Sequence, residues 1–334
     1  MGDKNISGIR SRVLLILTYI ASLACLVWTL RDAKLGELRD DIATMDWWWL
    51  GFAVVADVLV YCLQALRWIQ VLRPVEPVTF RQAVSAVYVG LFANEVLPFR
   101  AGEILRCYLV SRWTKLPFSV AISSFVIERI FDGIWLCACL AVTIRMVGVH
   151  HHTRWLLRSG YILGFIVLTG AALLILAVFL RQKARALLSG EGWQRHLRVL
   201  IDDLNLIGHS RYLYYAFFLS LAYLLLQVAP IYAATKAYGF DLSMGAAFSL
   251  MVILRLSSVI PQAPGNIGLY NFLTKEALVR IFHQEPDLAG RFSLVLWGTV
   301  TIPLLVAGFA ALMVSGKNFF DLKREADEHA ALRH

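Results

Sequence analysis

Two interrupted apolar stretches constrain this chain more than anything else in it. The first is AVYVGLFANEVLPFRAGEILRCYLV, from Ala86 to Val110; the second is SLMVILRLSSVIPQAPGNIGLYNFL, from Ser249 to Leu273. Each joins a hydrophobic run to a second run of helical character through a break of Pro, Gly and polar residues. Each run is shorter than the roughly 20 residues a membrane-spanning helix needs. The breaks align, Pro98-Phe99-Arg100-Ala101-Gly102-Glu103-Ile104 against Pro261-Gln262-Ala263-Pro264-Gly265-Asn266-Ile267. One broken hydrophobic hairpin in each half is the sequence mark of a transport-type binding site near the middle of a membrane. The expectation is a polytopic membrane protein that moves, or otherwise handles, a lipid.

Composition fixes the class. Of 334 residues, 59% are hydrophobic and 16% charged, where a soluble chain has about 45–50% apolar and about 25% charged residues. The net charge of +9 does not call for nucleic acid, because basic residues collect in the cytoplasmic loops of membrane proteins. Cys25, Cys62, Cys107, Cys137 and Cys139 lie in or beside apolar segments without a CxxC pair, and read as small buried hydrophobes. His150, His151 and His152 stand without a local acid or Cys and read as a polar loop tip. There is no GxxxxGK[ST] loop, no HExxH and no nucleophile elbow. No metal or cofactor is expected.

Six apolar segments are long enough to span: about Val13–Leu30, Leu50–Leu72, Phe118–Val147, Tyr161–Leu180, Tyr212–Thr235 and Phe292–Ser315. The predicted fold is therefore an all-alpha polytopic membrane protein of six full spans plus two re-entrant helical hairpins in an inverted repeat. One membrane domain covers 1–315, with halves of about 13–180 and 181–315, and a polar cytoplasmic tail covers 316–334. Placing both termini in the cytoplasm puts most of the 32 Lys and Arg residues on that side, as the positive-inside rule asks. Trp47, Trp48 and Trp49 fall where an interface belt would sit. Arg67 is placed to snorkel toward a span end, and Asp57 is expected to face protein.

The breaks carry the candidate substrate-binding residues. Pro98 stops the incoming helix near Leu97, and Gly102 permits a tight bend. The helix from about Glu103 would then present unpaired N–H groups to the break, with Arg100 and Arg106 close by. That combination suits a phosphate group, although Glu103 also serves as a plain first-turn acid. Asn94 and Glu95 precede the break, and a buried Glu95 needs a partner, a proton or water; Arg100 and Arg106 are the candidates for partner. Glu128 and Asp132 share a helix face and Arg129 pairs with Asp132 at i,i+3, either as a structural clasp or to read a cationic group. In the second break Pro261, Pro264, Gly265 and Gly268 exclude regular helix. Asn266 would satisfy a broken helix end, Arg255 would meet an anion, and Tyr270 and Asn271 would open the outgoing helix.

The runs NEVLPFRAGEILR at 94–106, SSFVIERIFD at 123–132 and PQAPGNIG at 261–268 resemble the lysylphosphatidylglycerol synthase transmembrane-region family, also described as flippase-like, across essentially the whole of Val13–Ser315. The resemblance implies transbilayer movement of a phospholipid or a related isoprenoid-linked or hopanoid lipid. It implies motif positions at Asn94, Pro98, Arg100, Gly102, Glu103, Arg106, Glu128, Arg129, Asp132, Pro261, Pro264, Gly265 and Gly268. Where that family commonly has PGG followed by a Glu, this chain has Asn266 and Asn271, so a mechanism needing the carboxylate would move it to Glu276. The chain looks like a stand-alone member without the soluble aminoacyl-transferase domain, in a bacterial cytoplasmic (inner) membrane. Membrane lipids are the expected partners, with a lipid-synthesising enzyme beside them. Three readings stay open: a lipid translocator with an anionic or zwitterionic headgroup as cargo, a headgroup transferase using Glu103 or Glu128 as base, and a scaffold for a lipid synthase.

Overall fold

The computed structural model describes residues 18–97, 101–147, 210–257 and 263–314, with isolated positions between 162 and 169. Regular structure among them is helical: α1 Thr18–Leu30, α2 Leu38–Thr44, α3 Trp47–Leu72, α4 Phe80–Val96, α5 Gly102–Trp113, α6 Phe118–Val147, α7 Arg211–Leu226, α8 Val228–Ala237, α9 Met244–Ser257, α10 Leu269–Arg280 and α11 Pro286–Val314. Four helices are long and apolar enough to cross a membrane: α3, α6, the Arg211–Ala237 segment formed by α7 and α8, and α11. At 26 residues α3 is about 39 Å long, more than the roughly 30 Å of hydrocarbon in a bilayer. The expected span at 161–180 and the motif residues Pro98, Arg100 and Pro261 lie outside the described residues.

Local signals set most of the ends. Asp46 caps α3 by accepting from the Trp48 N–H at 2.9 Å, so Trp47, Trp48 and Trp49 form its exposed first turn. Thr79 and Gln82 make a capping box at the start of α4. At its other end Leu97 is extended, with φ −98° and ψ 144°, as the residue before a proline must be. The last long helix departs from expectation. It begins at Pro286 rather than near Phe292, because proline is suited to a first helical position. Arg291 is thereby drawn from a loop into a buried helical site.

The segment 31–46 is also more ordered than a loop. It holds a 3-10 turn, Leu35–Glu37, and α2. Glu37 and Asp41 from this segment, with Asp287, surround Arg291 at 3.0, 2.6 and 2.5 Å. Lys275 of α10 reaches Asp32 at 3.0 Å and the Thr29 carbonyl at 2.9 Å, and this bond to Lys275 holds the Asp32 carboxyl below the usual carboxylate range. This end of the bundle is closed by charge pairs.

The two broken elements fold as helical hairpins. α4 and α5 turn back on each other so closely that a Cβ on Gly102 would lie 1.8 Å from the Gly90 carbonyl oxygen. Small residues that let backbones touch are a membrane packing device. A short turn, Pro264–Asn266, precedes α10 in the second break. There Gly268 has φ +96°, and its absent Cβ leaves room for the Ser22 carbonyl of α1. α1 thus lies across the second break, where Ser22 Oγ also accepts from the Ala263 N–H at 3.3 Å. Two apolar cores result. One gathers side chains of α3, α4, α5 and α6; the other gathers those of α8, α9, α10 and α11.

Gly102→Ala should lower stability by about 1–3 kcal/mol through overpacking. Gly51→Ala, on an open face of α3, should leave stability unchanged or raise it by up to about 1 kcal/mol. Thermal melts of both variants in one detergent test this; equal melting temperatures would refute the close α4–α5 contact.

Candidate functional site

Among the described residues, two further polar assemblies lie inside the bundle. The first is a closed ion network. Arg67 of α3 is fully buried and donates to Glu128 of α6 at 3.0 Å through Nε; it also pairs with Asp132 one turn further on. Arg106 of α5 takes the other Glu128 oxygen at 2.7 Å and pairs with Glu103 at 2.8 Å. Arg129 closes the set on Asp132 at 3.1 Å. Arg67, Arg106 and Arg129 thus balance Glu103, Glu128 and Asp132. Aromatic faces cover the guanidiniums: Tyr223 lies 4.8 Å from Arg67, and Trp68 4.8 Å from Arg106. Arg67 therefore does not snorkel. Carboxylates four residues apart on α6 face it inside the bundle, so the ion pair replaces the solvent it would otherwise seek.

The second assembly surrounds a cavity of about 200 Å³ where the two hairpins meet. Glu95, at the end of α4, accepts a 2.9 Å hydrogen bond from Asn266 in the second break. Trp297 of α11 fixes that same turn by donating to the Gly265 carbonyl at 2.7 Å. Arg255 of α9 donates to the Tyr223 hydroxyl at 2.6 Å and to Gln227. Both acceptors come from the point where α7 gives way to α8. Pro230 cannot donate to the Leu226 carbonyl, and Gln227 at the junction turns its side chain inward. Asp57 and Gln64 of α3 complete the wall.

Of the residues the sequence nominates, Asn94, Glu95, Glu103, Arg129, Arg255, Asn266 and Tyr270 line this cavity. Arg106, Glu128 and Asp132 belong to the ion network. Asn94 has a structural task as well: its side-chain oxygen accepts from the Gly102 N–H at 2.9 Å. The start of α5 is thus partly satisfied from within rather than wholly open to a ligand. Asn271 is fully buried, accepts from Gly268 N–H at 3.1 Å and donates to the Ser293 carbonyl at 2.9 Å. Glu276 pairs with Arg280 and accepts from Trp28 at 3.4 Å, away from the cavity wall. The carboxylate beside the second break is instead Glu95, supplied by the opposite hairpin. Tyr223, Gln227 and Trp297 carried no sequence signal beyond being polar-tipped groups in apolar helices. Among the described residues no group of three His, Cys, Asp or Glu could hold a metal.

An all-helical bundle with long apolar helices and a buried polar cavity between two broken hairpins defines an integral membrane protein built around an internal site. The chain belongs to the family described as the lysylphosphatidylglycerol synthase TM region, whose model matches residues 13–308. It is similar to a UPF0104 membrane protein of Methanothermobacter thermautotrophicus, with 22% identity over 76% of this chain and 81% of the relative. A second UPF0104 membrane protein of that organism is 24% identical over 75% of this chain and 78% of its own length. The glycosyltransferase AglD of Haloferax volcanii is 24% identical over 65% of this chain and 41% of its own. These relatives are archaeal, so they lend no weight to a bacterial source. No solved structure matches the chain.

Removing one partner of a buried ion pair strands the other charge, which costs about 3–5 kcal/mol. Glu128→Ala should therefore abolish or severely reduce recovery of folded protein. Arg129→Ala, at a side chain 39% exposed, should cost no more than about 1 kcal/mol. Size-exclusion profiles and melts compare the two; a Glu128 variant as stable as the Arg129 variant would refute the closed network.

Proposed function

We propose that this protein moves a phospholipid or related lipid across the bilayer, with the headgroup passing through the central cavity and the acyl chains remaining in the membrane. The observation that carries this reading is the meeting of the hairpins: Glu95 of one break bonds Asn266 of the other on the wall of a polar cavity. A headgroup crossing bare hydrocarbon loses its hydrogen bonds at several kcal/mol for each polar group. Arg255, Arg129 and the tyrosines on this wall can replace them. A cavity of about 200 Å³ is smaller than the roughly 300–1,000 Å³ pockets that hold drug-sized ligands. It suits a headgroup and not a whole lipid.

The same reading takes both hairpins as re-entrant, one opening to each side of the membrane, in an inverted repeat with six full spans and cytoplasmic termini. It treats 1–315 as one membrane domain followed by a cytoplasmic tail, in a cytoplasmic membrane. Alternating access then consists of parting the hairpins in turn. The bond between Glu95 and Asn266 would be broken in that step, and a hydrogen bond to a carboxylate is worth about 1.5–3 kcal/mol, low enough for repeated opening. On this reading the chain is not an enzyme: its internal carboxylates in the ion network are occupied by arginines.

One comparison favours a second role beside the first. The relative named a glycosyltransferase matches over 41% of its length, so a region of this kind can share a chain with a glycosyltransferase. We propose a lipid-modifying enzyme as a partner here; co-purification of the native protein tests it.

In liposomes holding purified protein and acyl-labelled phospholipids, wild type should speed transbilayer exchange of at least one lipid. Arg255→Ala should slow it tenfold or more, whereas Arg112→Ala, at an exposed position outside the cavity, should not. Monodisperse protein that moves no lipid would sink the translocation reading.

A further inference from the structure

The groups on the cavity wall do not all favour an anion. Glu103 is neutralised by Arg106 at 2.8 Å and Arg129 by Asp132 at 3.1 Å. Arg255 is held by neutral groups, the Tyr223 hydroxyl and the Gln227 amide. Opposite in sign stand Glu95, which accepts from Asn266, and Asp57, which is 5% exposed and lines the cavity. Its Oδ2 has no hydrogen-bond partner among the described residues. Asp57 is not explained by the ion network or by a helix cap: it lies inside α3, about three turns from its start and four from its end, with Tyr61 one turn away on the same face. Tyr61 and Tyr270 line the same cavity as Asp57 and Arg255.

We propose that Asp57 is the subsite for the ammonium of a zwitterionic phospholipid headgroup, whose phosphate is taken by Arg255. This rests on the translocation reading for its setting and names the substrate class within it. A buried carboxylate lacking a partner is costly to keep ionised, so a cationic group delivered there gains more than it would at an exposed acid. Tyr61 and Tyr270 on the same wall are aromatic residues of the kind that attract an ammonium by cation–π contact. An anionic headgroup such as glycerol phosphate would meet Arg255 equally well but would leave Asp57 unanswered. Discrimination arises from that unmade bond, since a buried polar group left without its partner rejects a substrate more strongly than a missing methylene does.

The test uses purified full-length protein in liposomes with acyl-labelled phosphatidylethanolamine or phosphatidylglycerol as probe. Wild type is expected to move the ethanolamine lipid at least five times faster than the glycerol lipid. Asp57→Asn should bring that ratio to within twofold of one, and Asp57→Glu should retain part of it. A parallel arm measures protection from thermal unfolding by the short-chain forms of both lipids in detergent, which reads binding even if nothing is moved. If wild type moves neither lipid but is protected by the ethanolamine form in an Asp57-dependent way, translocation fails and this assignment stands. Equal rates and equal protection by both lipids, or a preference that survives Asp57→Asn in a folded variant, would overturn it.

Discussion

The structure depends on one ion network, centred on Glu128. A carboxylate and two arginines in the interior of an apolar bundle are each expensive to remove from water, and only close mutual pairing offsets that cost. Glu128 faces Arg67 and Arg106 with both oxygens, and each arginine meets a further acid. The pairing fixes α3, α5 and α6 against one another at one depth. Since α5 is the outgoing arm of the first hairpin, the network also sets where the first break stands. Aromatic covers at Trp68 and Tyr223 exclude lipid and solvent and keep the local dielectric low, which strengthens the pairs that are made.

The cavity is built on the opposite plan. Arg255 on its wall donates to a phenol and an amide, its two breaks are joined through an amide and a carboxylate, and Asp57 retains an oxygen without a hydrogen-bond partner among the described residues. The phenol and the amide orient the guanidinium without themselves carrying an opposite charge. A rigid, self-neutralised cluster thus adjoins a polar space able to answer a ligand. Tyr223 belongs to both, with its ring toward Arg67 and its hydroxyl on Arg255.

The breaks themselves were legible in sequence, because proline and glycine restrict backbone whatever surrounds them. So was the Arg129–Asp132 pair, whose i,i+3 spacing is local. The partner of Arg67 was not, because Glu128 lies 61 residues away and nothing in a single chain announces such a pairing. A snorkelling arginine and a buried one read alike. Asn94 and Asn271 looked like ligand groups because a short amide does either task; the structure turns both onto helix ends. The start of α11 was misplaced by weighting apolarity over Pro286, and with it the burial of Arg291. Asp57 was visible only as an acid in an apolar run, and its position on the cavity wall came from helix packing.

The distance along the chain between Arg67 and its acids bears on how the protein is made. α3 leaves the ribosome some 60 residues before α6 brings Glu128 and Asp132. Through that interval of synthesis Arg67 has no carboxylate to meet from α6, and an arginine five residues before the end of α3 can reach water only by snorkelling to the interface. In the nascent chain the Arg67 head is therefore turned to the interface, and it moves inward only when the acids of α6 arrive. The final bundle is then reached by joint burial of segments made at different times, and the polar interior is sealed only when the last of its charges arrives.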